Sequence, residues 1–390
     1  MKEQKTIVAE FRKISQSKKS AALATVVRVR GSSYRSPGAR MLITDDGRWV
    51  GSISGGCLEG DALRKARQVM QTGQAILVTY DTREESNQNL GIGLGCNGVI
   101  DVLIESVSGS NENTVSVFEK IISLNVPVAL ATVATGEQIG KKVLIGPDLE
   151  EIQSNISSAL SRFIHNDIVT LFDTHKSEVK NYDGTEVFIE LIQPSISLII
   201  FGGGFDARPV SQLAKSLGWS VAVTDECVAH IAPVFFPGVD KLSLCEREFI
   251  DREISVDQFT ACILMSHNYE YDRDVLKKLI QTETPYIGIL GPRKRFDKML
   301  DDLGKGGSSI SSDQLRKIHS PIGLDIGAET PDEIAVSIIA EIQSKFFNRS
   351  GGFLKYRSGP IHQRESGSDQ VYKQAWLGDA PSTPSKSANH

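Results

Sequence analysis

Apolar and polar residues alternate along SAALATVVRVRG and RMLITDDGRWVGSIS, the pattern of strands with one buried face, and Asp46-Gly47 breaks the second with a hairpin turn. Upstream, Ile7, Phe11 and Ile14 recur at helical spacing among charged residues, which predicts an amphipathic surface helix over residues 3–18. Leu58 to Met70 predicts a second helix, and AILVTYD, VIDVLIE and VPVALATV predict further strands. Residues 1–194 thus read as an N-terminal mixed α/β domain with its core motifs in 20–135. Within it, 136–194 read as a third layer, with short strands KKVLIG and DIVTLFD around a helix near 149–163. No internal repeat is read from the sequence.

At Ser195 the pattern changes. SISLIIFGGGFDARPVSQLAKSLGWSVAVTDE is a strand, a glycine turn, a helix and a strand, one βαβ unit. ACILMS and PYIGILG continue as nearly all-apolar strands, which suits a parallel sheet covered on both faces. Thr330, Pro331 and Glu333 open the closing helix with a capping box. Residues 195–347 therefore read as a Rossmann-like, doubly wound parallel-sheet domain, and 348–390, rich in Gly, Ser, Pro and charge, as a mostly disordered tail.

Composition narrows the function classes. With 390 residues and a formal net charge of -5 there is no broad cationic field, so nucleic acid and anionic membrane are not expected partners. The N-terminus is too charged for a signal peptide and no apolar run is long enough to span a bilayer, so the expected location is the cytoplasm. The five cysteines form neither a disulfide framework nor a CxxC metal site. No G-x-S-x-G elbow or H-E-x-x-H metal motif occurs, and GEQIGKK, residues 136–142, imitates a P-loop only superficially because Lys142 replaces the required Ser or Thr.

Three places in the second half carry candidate chemistry. Gly202, Gly204 and Ala207 match the dinucleotide fingerprint, and Asp225 ends the next strand, where a carboxylate meets the ribose and favours NAD over NADP. The plainer reading is a Rossmann-type fold that uses no cofactor, and Asp206 supports it, since a carboxylate there caps the helix and repels a pyrophosphate. His267 and Asn268 leave a buried strand at its carboxyl end: either His267 meets a ligand, or it bonds backbone while Asn268 or Asp272 caps the next helix. Arg293, Lys294 and Arg295 oppose a helix dipole, which suits a bound anion or a solvated cluster.

In the first half, SISGGC places Gly55, Gly56 and Cys57 at a helix start, where free backbone N–H groups attract anions and favour a thiolate. GSSYRSPGAR adds Ser32, Ser33, Arg35 and Arg40, together an anion or phosphate cradle beside a soft ligand. GIGLGCNG sets Cys96, after Gly95, in a second glycine-rich loop; a thiol taken alone is more often a small buried hydrophobe than a ligand, but two in two glycine-rich loops of one domain shift the balance towards function.

GSSYRSPGARMLITDDG, GSISGGCLEGD, GLGCNG, PYIGILGPRKR and SPIGLDIGAETPDEIAVSIIAEI, in this order over about residues 12 to 345, resemble the XdhC/CoxI family, accessory proteins of xanthine dehydrogenase and related molybdenum hydroxylases. The resemblance implies a chaperone rather than a hydroxylase, often a homodimer. It would bind the molybdenum cofactor (molybdopterin), shelter it while a cysteine desulfurase partner replaces an oxo with a sulfido ligand, and pass it to the client. The family's cofactor-linked LGC segment falls on Cys96, a candidate contact to the molybdenum, and its SGGC segment on Cys57. Phe205 and Asp206 stand where the family turn often carries a histidine, and Asn97 where a glycine is common. The competing expectation is an NAD-dependent oxidoreductase built on the glycine turn.

Overall fold

The computed structural model of the chain describes residues 1–16, 19–31, 33–82, 98–107, 113–174, 176–306 and 310–356. They form two compact units, Thr6–Ile192 and Gln193–Tyr356, the latter taking in Met1–Lys5.

The chain opens with helix α1 (Lys2–Gln16), which belongs to the first unit from Thr6 onward, followed by β1 (Ala21–Gly31), β2 (Arg40–Thr44), β3 (Trp49–Gly51), α2 (Glu59–Thr72), β4 (Ile76–Asp81) and β5 (Gly98–Val107). The same sequence of elements then recurs: α3 (Thr114–Leu124), β6 (Val128–Val133), β7 (Lys142–Ile145), β8 (Glu151–Ser154), α4 (Ser158–Thr174), β9 (Glu178–Tyr182) and β10 (Thr185–Ile192). The sheets are ordered β3-β2-β1-β5-β4 and β8-β7-β6-β10-β9, the same topology twice, with antiparallel pairing throughout.

This overturns the expectation that the chain has no internal repeat. The signal is present in the sequence: residues 11–26 and 118–133, offset by 107, are identical at eight of sixteen positions, including Phe11/Phe118, Ile14/Ile121 and the pentapeptide ALATV. DIVTLFD is corrected too, from strand to the second half of α4. Leu160, Ile164, Ile168 and Leu171 recur at helical spacing and are buried against the second sheet, so the period of the apolar face decides.

The two halves meet reciprocally. Leu23 pairs across its sheet with Glu105 and Leu130 with Glu190, so the two glutamates are equivalent; Thr25 faces Arg40 and Thr132 faces Lys142, so the two cations are equivalent. Arg40 makes its ion pair with Glu190 and Lys142 with Glu105, at 2.6 Å for the lysine, each cation crossing to the other half. Arg12 and Glu119, equivalent under the offset of 107, pair with each other at 2.8 Å. Such exchange of partners is the signature of a two-fold relation. Between the sheets lies a small core of Val27, Leu103, Ala134 and Phe188, with Leu77 and Val179 packed against it. Each sheet's other face packs on its own helix, α2 or α4.

The connection between the last two strands differs most between the halves. Asp183 and Gly184, both at positive φ (48° and 87°), close β9 to β10 in a tight turn. The equivalent β4–β5 connection is residues 82–97, which contain Cys96.

The second unit is a six-stranded sheet of order β13-β12-β11-β14-β15-β16, parallel throughout. Its elements run β11 (Ser197–Phe201), α5 (Ala207–Ser216), β12 (Ser220–Asp225), β13 (Lys241–Leu244), α6 (Ile250–Glu253), β14 (Thr260–Leu264), α7 (Tyr269–Leu279), β15 (Tyr286–Ile289), α8 (Arg293–Lys305), α9 (Ser312–Arg316), β16 (Ile318–His319) and α10 (Pro331–Phe346). Alternate residues of each central strand enter separate cores, Leu198 and Ile200 with α5 and α10, Ile199 and Phe201 with α7 and α8. The unit is therefore the expected doubly wound fold. Thr330 and Glu333 form the expected capping box at α10.

Glu190→Ala leaves Arg40 buried without its counter-charge, and is expected to lower unfolding free energy by about 3–5 kcal/mol. Chemical denaturation should show most of the loss recovered when Arg40→Met is added; an additive double variant would mean that the pair is not coupled.

Candidate functional site

Register alone brings the first unit's motif loops together. Gly31 ends β1 opposite Gly98, Arg40 opens β2 opposite Thr25, Gly51 ends β3 opposite Met41, and Asp81 ends β4 opposite Val99. The chain thus leaves and re-enters one end of the first sheet at every motif: SSYRSPGA after β1, SISGGC after β3, and the cysteine segment between β4 and β5. Cys96, Gly95 and Asn97 lie outside the described residues, as does Ser32. The two stems of the cysteine segment are clasped, since Thr82 donates its N–H to the Gly98 carbonyl at 3.0 Å and the Gly98 N–H donates to the Thr82 hydroxyl at 3.1 Å.

Around this end, Arg35 Nε donates to the Ser52 carbonyl at 3.1 Å, tying the first loop to the second. The exposed Tyr34 ring lies against Gly55, 3.8 Å from where a Cβ would stand. Gly55 and Gly56 have φ of 109° and 123°, open only to glycine without strain, and among the described residues nothing lies within 4 Å of where a Gly56 Cβ would stand. Cys57 follows, half-buried, its side chain packed on the α2 core.

At the α2 start the backbone donors expected to meet an anion converge on a carboxylate of the chain itself. Glu59 turns back so that Oε1 accepts from the Ile53 and Ser54 N–H groups (3.2 and 3.0 Å) and the Ser52 hydroxyl (2.8 Å). Oε2 accepts from the Gly56 and Leu58 N–H groups at 2.9 and 3.1 Å. Burial pushes this carboxyl up, but bonds from the Ser54 and Ser52 hydroxyls and the Ser54 N–H outweigh it and hold it at about 2. The backbone donors expected to be free for a phosphate are therefore spoken for. Glu59 was legible only as a polar helix residue; its role depends on a chain reversal through two positive-φ glycines.

Arg40 is a second correction. Its guanidinium is 2% exposed, pairs with Glu190, donates to the Gly38 carbonyl at 2.7 Å and lies 4.7 Å from the Phe118 ring centroid. It belongs to the interior and is not presented to a ligand. Cys57, Gly55, Gly56 and Arg35 are the described candidates brought together.

In the second unit the glycine turn is shaped by the protein's own packing. A Cβ on Gly202 would stand 2.4 Å from the Ser266 Cα and one on Gly203 2.4 Å from the His230 carbonyl oxygen; one on Gly204 would lie 3.6 Å from the His267 ring. Asp225, 3% exposed, accepts from the N–H groups of Gly203 and Cys227, both at 2.8 Å, and meets His230 Nδ1 at 3.0 Å. Its carboxylate thus braces the turn from within, and Ala207 is buried beneath it.

Asp206 does not cap α5, contrary to expectation; it faces His267 Nε2 at 3.3 Å. His267 itself has φ of 61°, a strained value for a side-chain-bearing residue. Asn268 caps α7, accepting from the Glu270 and Tyr271 N–H groups, as the plainer reading held. Arg293 pairs with Asp297 at 3.2 Å, and Arg295 with the buried Asp272 at 2.8 Å, whose carboxyl is pushed up by burial. Burial also drives the Cys245 and Cys262 thiols up, to about 11 and about 12, which leaves them inert. Among the described residues, no group of three or more His, Cys, Asp or Glu is placed to hold a metal, and no helix is long and apolar enough to cross a membrane.

Comparison with known proteins follows the same division. The model of the XdhC and CoxI family matches residues 14–81, and that of the XdhC Rossmann domain matches 198–342. A Bacillus subtilis protein, named as one of the probable subunits of xanthine dehydrogenase, is 33% identical over 337 residues, 84% of this chain and 93% of that protein. The molybdenum cofactor insertion chaperone PaoD of Escherichia coli is 24% identical over 326 residues, 84% of this chain and 83% of its own length. A Bacillus halodurans crystal structure, described as a xanthine dehydrogenase, matches with a TM-score of 0.72 at 28% identity, over 91% of this chain and 98% of that one.

Two outcomes test this geometry. Glu59→Gln should cost about 2 kcal/mol near neutral pH by chemical denaturation. Because the native carboxyl sits below its unfolded value, its contribution is full above the unfolded pKa of about 4.3, and the gap to wild type should close as pH falls from there through about 2. Gly203→Ala should destabilise by about 1–3 kcal/mol through the clash with the His230 carbonyl, although Gly203 has no positive φ. A neutral effect would show that the turn's shape does not depend on that contact.

Proposed function

Since the chain belongs to the XdhC and CoxI family, we propose that it serves the maturation of a molybdenum hydroxylase of the xanthine dehydrogenase type, as an accessory chaperone whose cargo is the molybdenum cofactor. On this reading the protein holds the cofactor at the loop end of the first sheet, protects it while a cysteine desulfurase supplies the sulfido ligand, and delivers it to the apoenzyme. A homodimer is part of the same reading.

The observation that carries the proposal is the convergence of three motif loops on that one end. Cys57 offers a soft sulfur contact of the kind a molybdenum centre or its dithiolene takes. Gly56, with no described residue within 4 Å of where its Cβ would stand, lets a flat ring approach backbone closely, and Tyr34 gives an exposed aromatic face beside Gly55. Arg35 brings positive charge for a phosphate tail, and Cys96 is assigned as the principal cofactor contact because its segment springs from the same end. Glu59 fixes the shape of the second loop instead of competing for cargo from outside it.

The NAD-linked alternative draws on Gly202, Gly204 and Asp225, but the commitment of Asp225 to its own turn favours the plainer reading of that unit as a scaffold. The test mixes the full chain with molybdenum cofactor or, separately, NADH, and measures retained ligand. Pterin retained by wild type and reduced at least about tenfold in Cys96→Ser and in Cys57→Ser is the expected result. NADH retained without pterin, and lost in Asp225→Ala, would overturn it.

A further inference from the structure

The duplication supplies an internal control for one surface that the site at the loop end leaves unused. Beyond the shorter second motif loop the offset between the halves falls to 102, which matches the buried Ala62, Ala66 and Val69 of α2 to Ile164, Ile168 and Leu171 of α4, and Tyr80 to Tyr182. On that offset α2 carries Asp61, Arg64 and Arg67 where α4 carries Phe163, Asn166 and Val169. Phe163 is 54% and Val169 47% exposed. The same scaffold thus keeps charge on one helix and presents apolar side chains to solvent on the other, so the fold itself does not call for them.

Phe163, Asn166, Val169 and Thr170 are spaced by three or four residues along α4, or adjacent, and are all exposed, so they form one stripe on its outer face. Arg162 stands towards one end of the stripe and Asp173 at the other, in the last turn of the helix. Arg162 Nε donates to the Ser158 carbonyl at 3.3 Å, and among the described residues neither Arg162 nor Asp173 has an ion-pair partner. The last turn of α4 holds no basic residue, so the carboxylate of Asp173 opposes the helix dipole uncompensated.

This stripe is complementary to itself when reversed. A second α4 laid antiparallel, with Asn166 on the two-fold axis, sets Phe163 against the partner's Val169 and the Asn166 amide, which both donates and accepts, against its own copy. Arg162 then reaches the partner's Asp173 and brings a cation to the end of that helix where a cation is favoured. A parallel copy would set Arg162 beside Arg162 and Asp173 beside Asp173. We propose that the exposed face of α4 is the interface with a second copy of this chain, packed antiparallel about Asn166. The inference rests on the homodimer of the proposed function and gives it a face. A single helix pair falls at the small end of specific interfaces, so the association is expected to be reversible at micromolar concentrations.

Sedimentation velocity on the full chain, from about 1 to about 100 μM, tests it. Wild type should dimerise reversibly, and Phe163→Asp and Val169→Arg, which install the residues of α2 at the same positions, should each weaken the dimer at least about tenfold. Arg162→Asp sets like charges together twice across the axis and should weaken it at least about fivefold, with recovery when Asp173→Arg is added. Arg162 and Asp173 are both exposed, so this exchange of charge decides the matter if the apolar variants fail to fold. A dimer that none of these changes weakens would overturn the α4 face while the homodimer stands; a monomer throughout the range would overturn both.

Discussion

Two cations, Arg40 and Lys142, are each taken out of water and each neutralised by a carboxylate from the other half of the first unit. An isolated buried charge is untenable, so neither half can hold its cation without the other. A slip of one residue in any strand that carries these groups would turn its side chain to the opposite face and strand a charge. The pairs therefore fix the register of both central strand pairs, β1–β5 and β6–β10. Everything at the loop end inherits that register, because Gly31, Arg40, Gly51 and Gly98 are placed by the same ladders.

A similar economy operates in the second unit. Asp225 sits where a dinucleotide fold offers a carboxylate to ribose, yet its oxygens are committed to the Gly203 and Cys227 amides. Close approach of Ser266 and His230 accounts for the bareness of Gly202 and Gly203 without any ligand. Glycine, which in a sequence reads as room for a phosphate, here makes room for backbone.

Much of the architecture was legible because it rests on periodicity. The capping box at Thr330, the Asp46-Gly47 hairpin and the parallel strands of the second unit each follow from local pattern, and each is found. What failed depended on residues far apart in sequence. Arg40 reads as an anion ligand until Glu190, 150 residues away, is seen beside it. Glu59 reads as a solvated helix residue until two positive-φ glycines fold the preceding loop over it. DIVTLFD alternates well enough for a strand when taken alone, and only the longer window from Leu160 reveals a helix. The duplication was visible in ALATV and in the Phe and Ile that precede it, but a shorter second copy of the motif loop broke the match beyond that stretch.

The tight Asp183-Gly184 turn shows what the β4–β5 connection needs for folding alone: two residues. Its counterpart in the first half spends a long segment, with three glycines and a cysteine, on the same topological task. The topology does not require those extra residues, so their length and sequence answer to what the segment does and not to the scaffold that carries it.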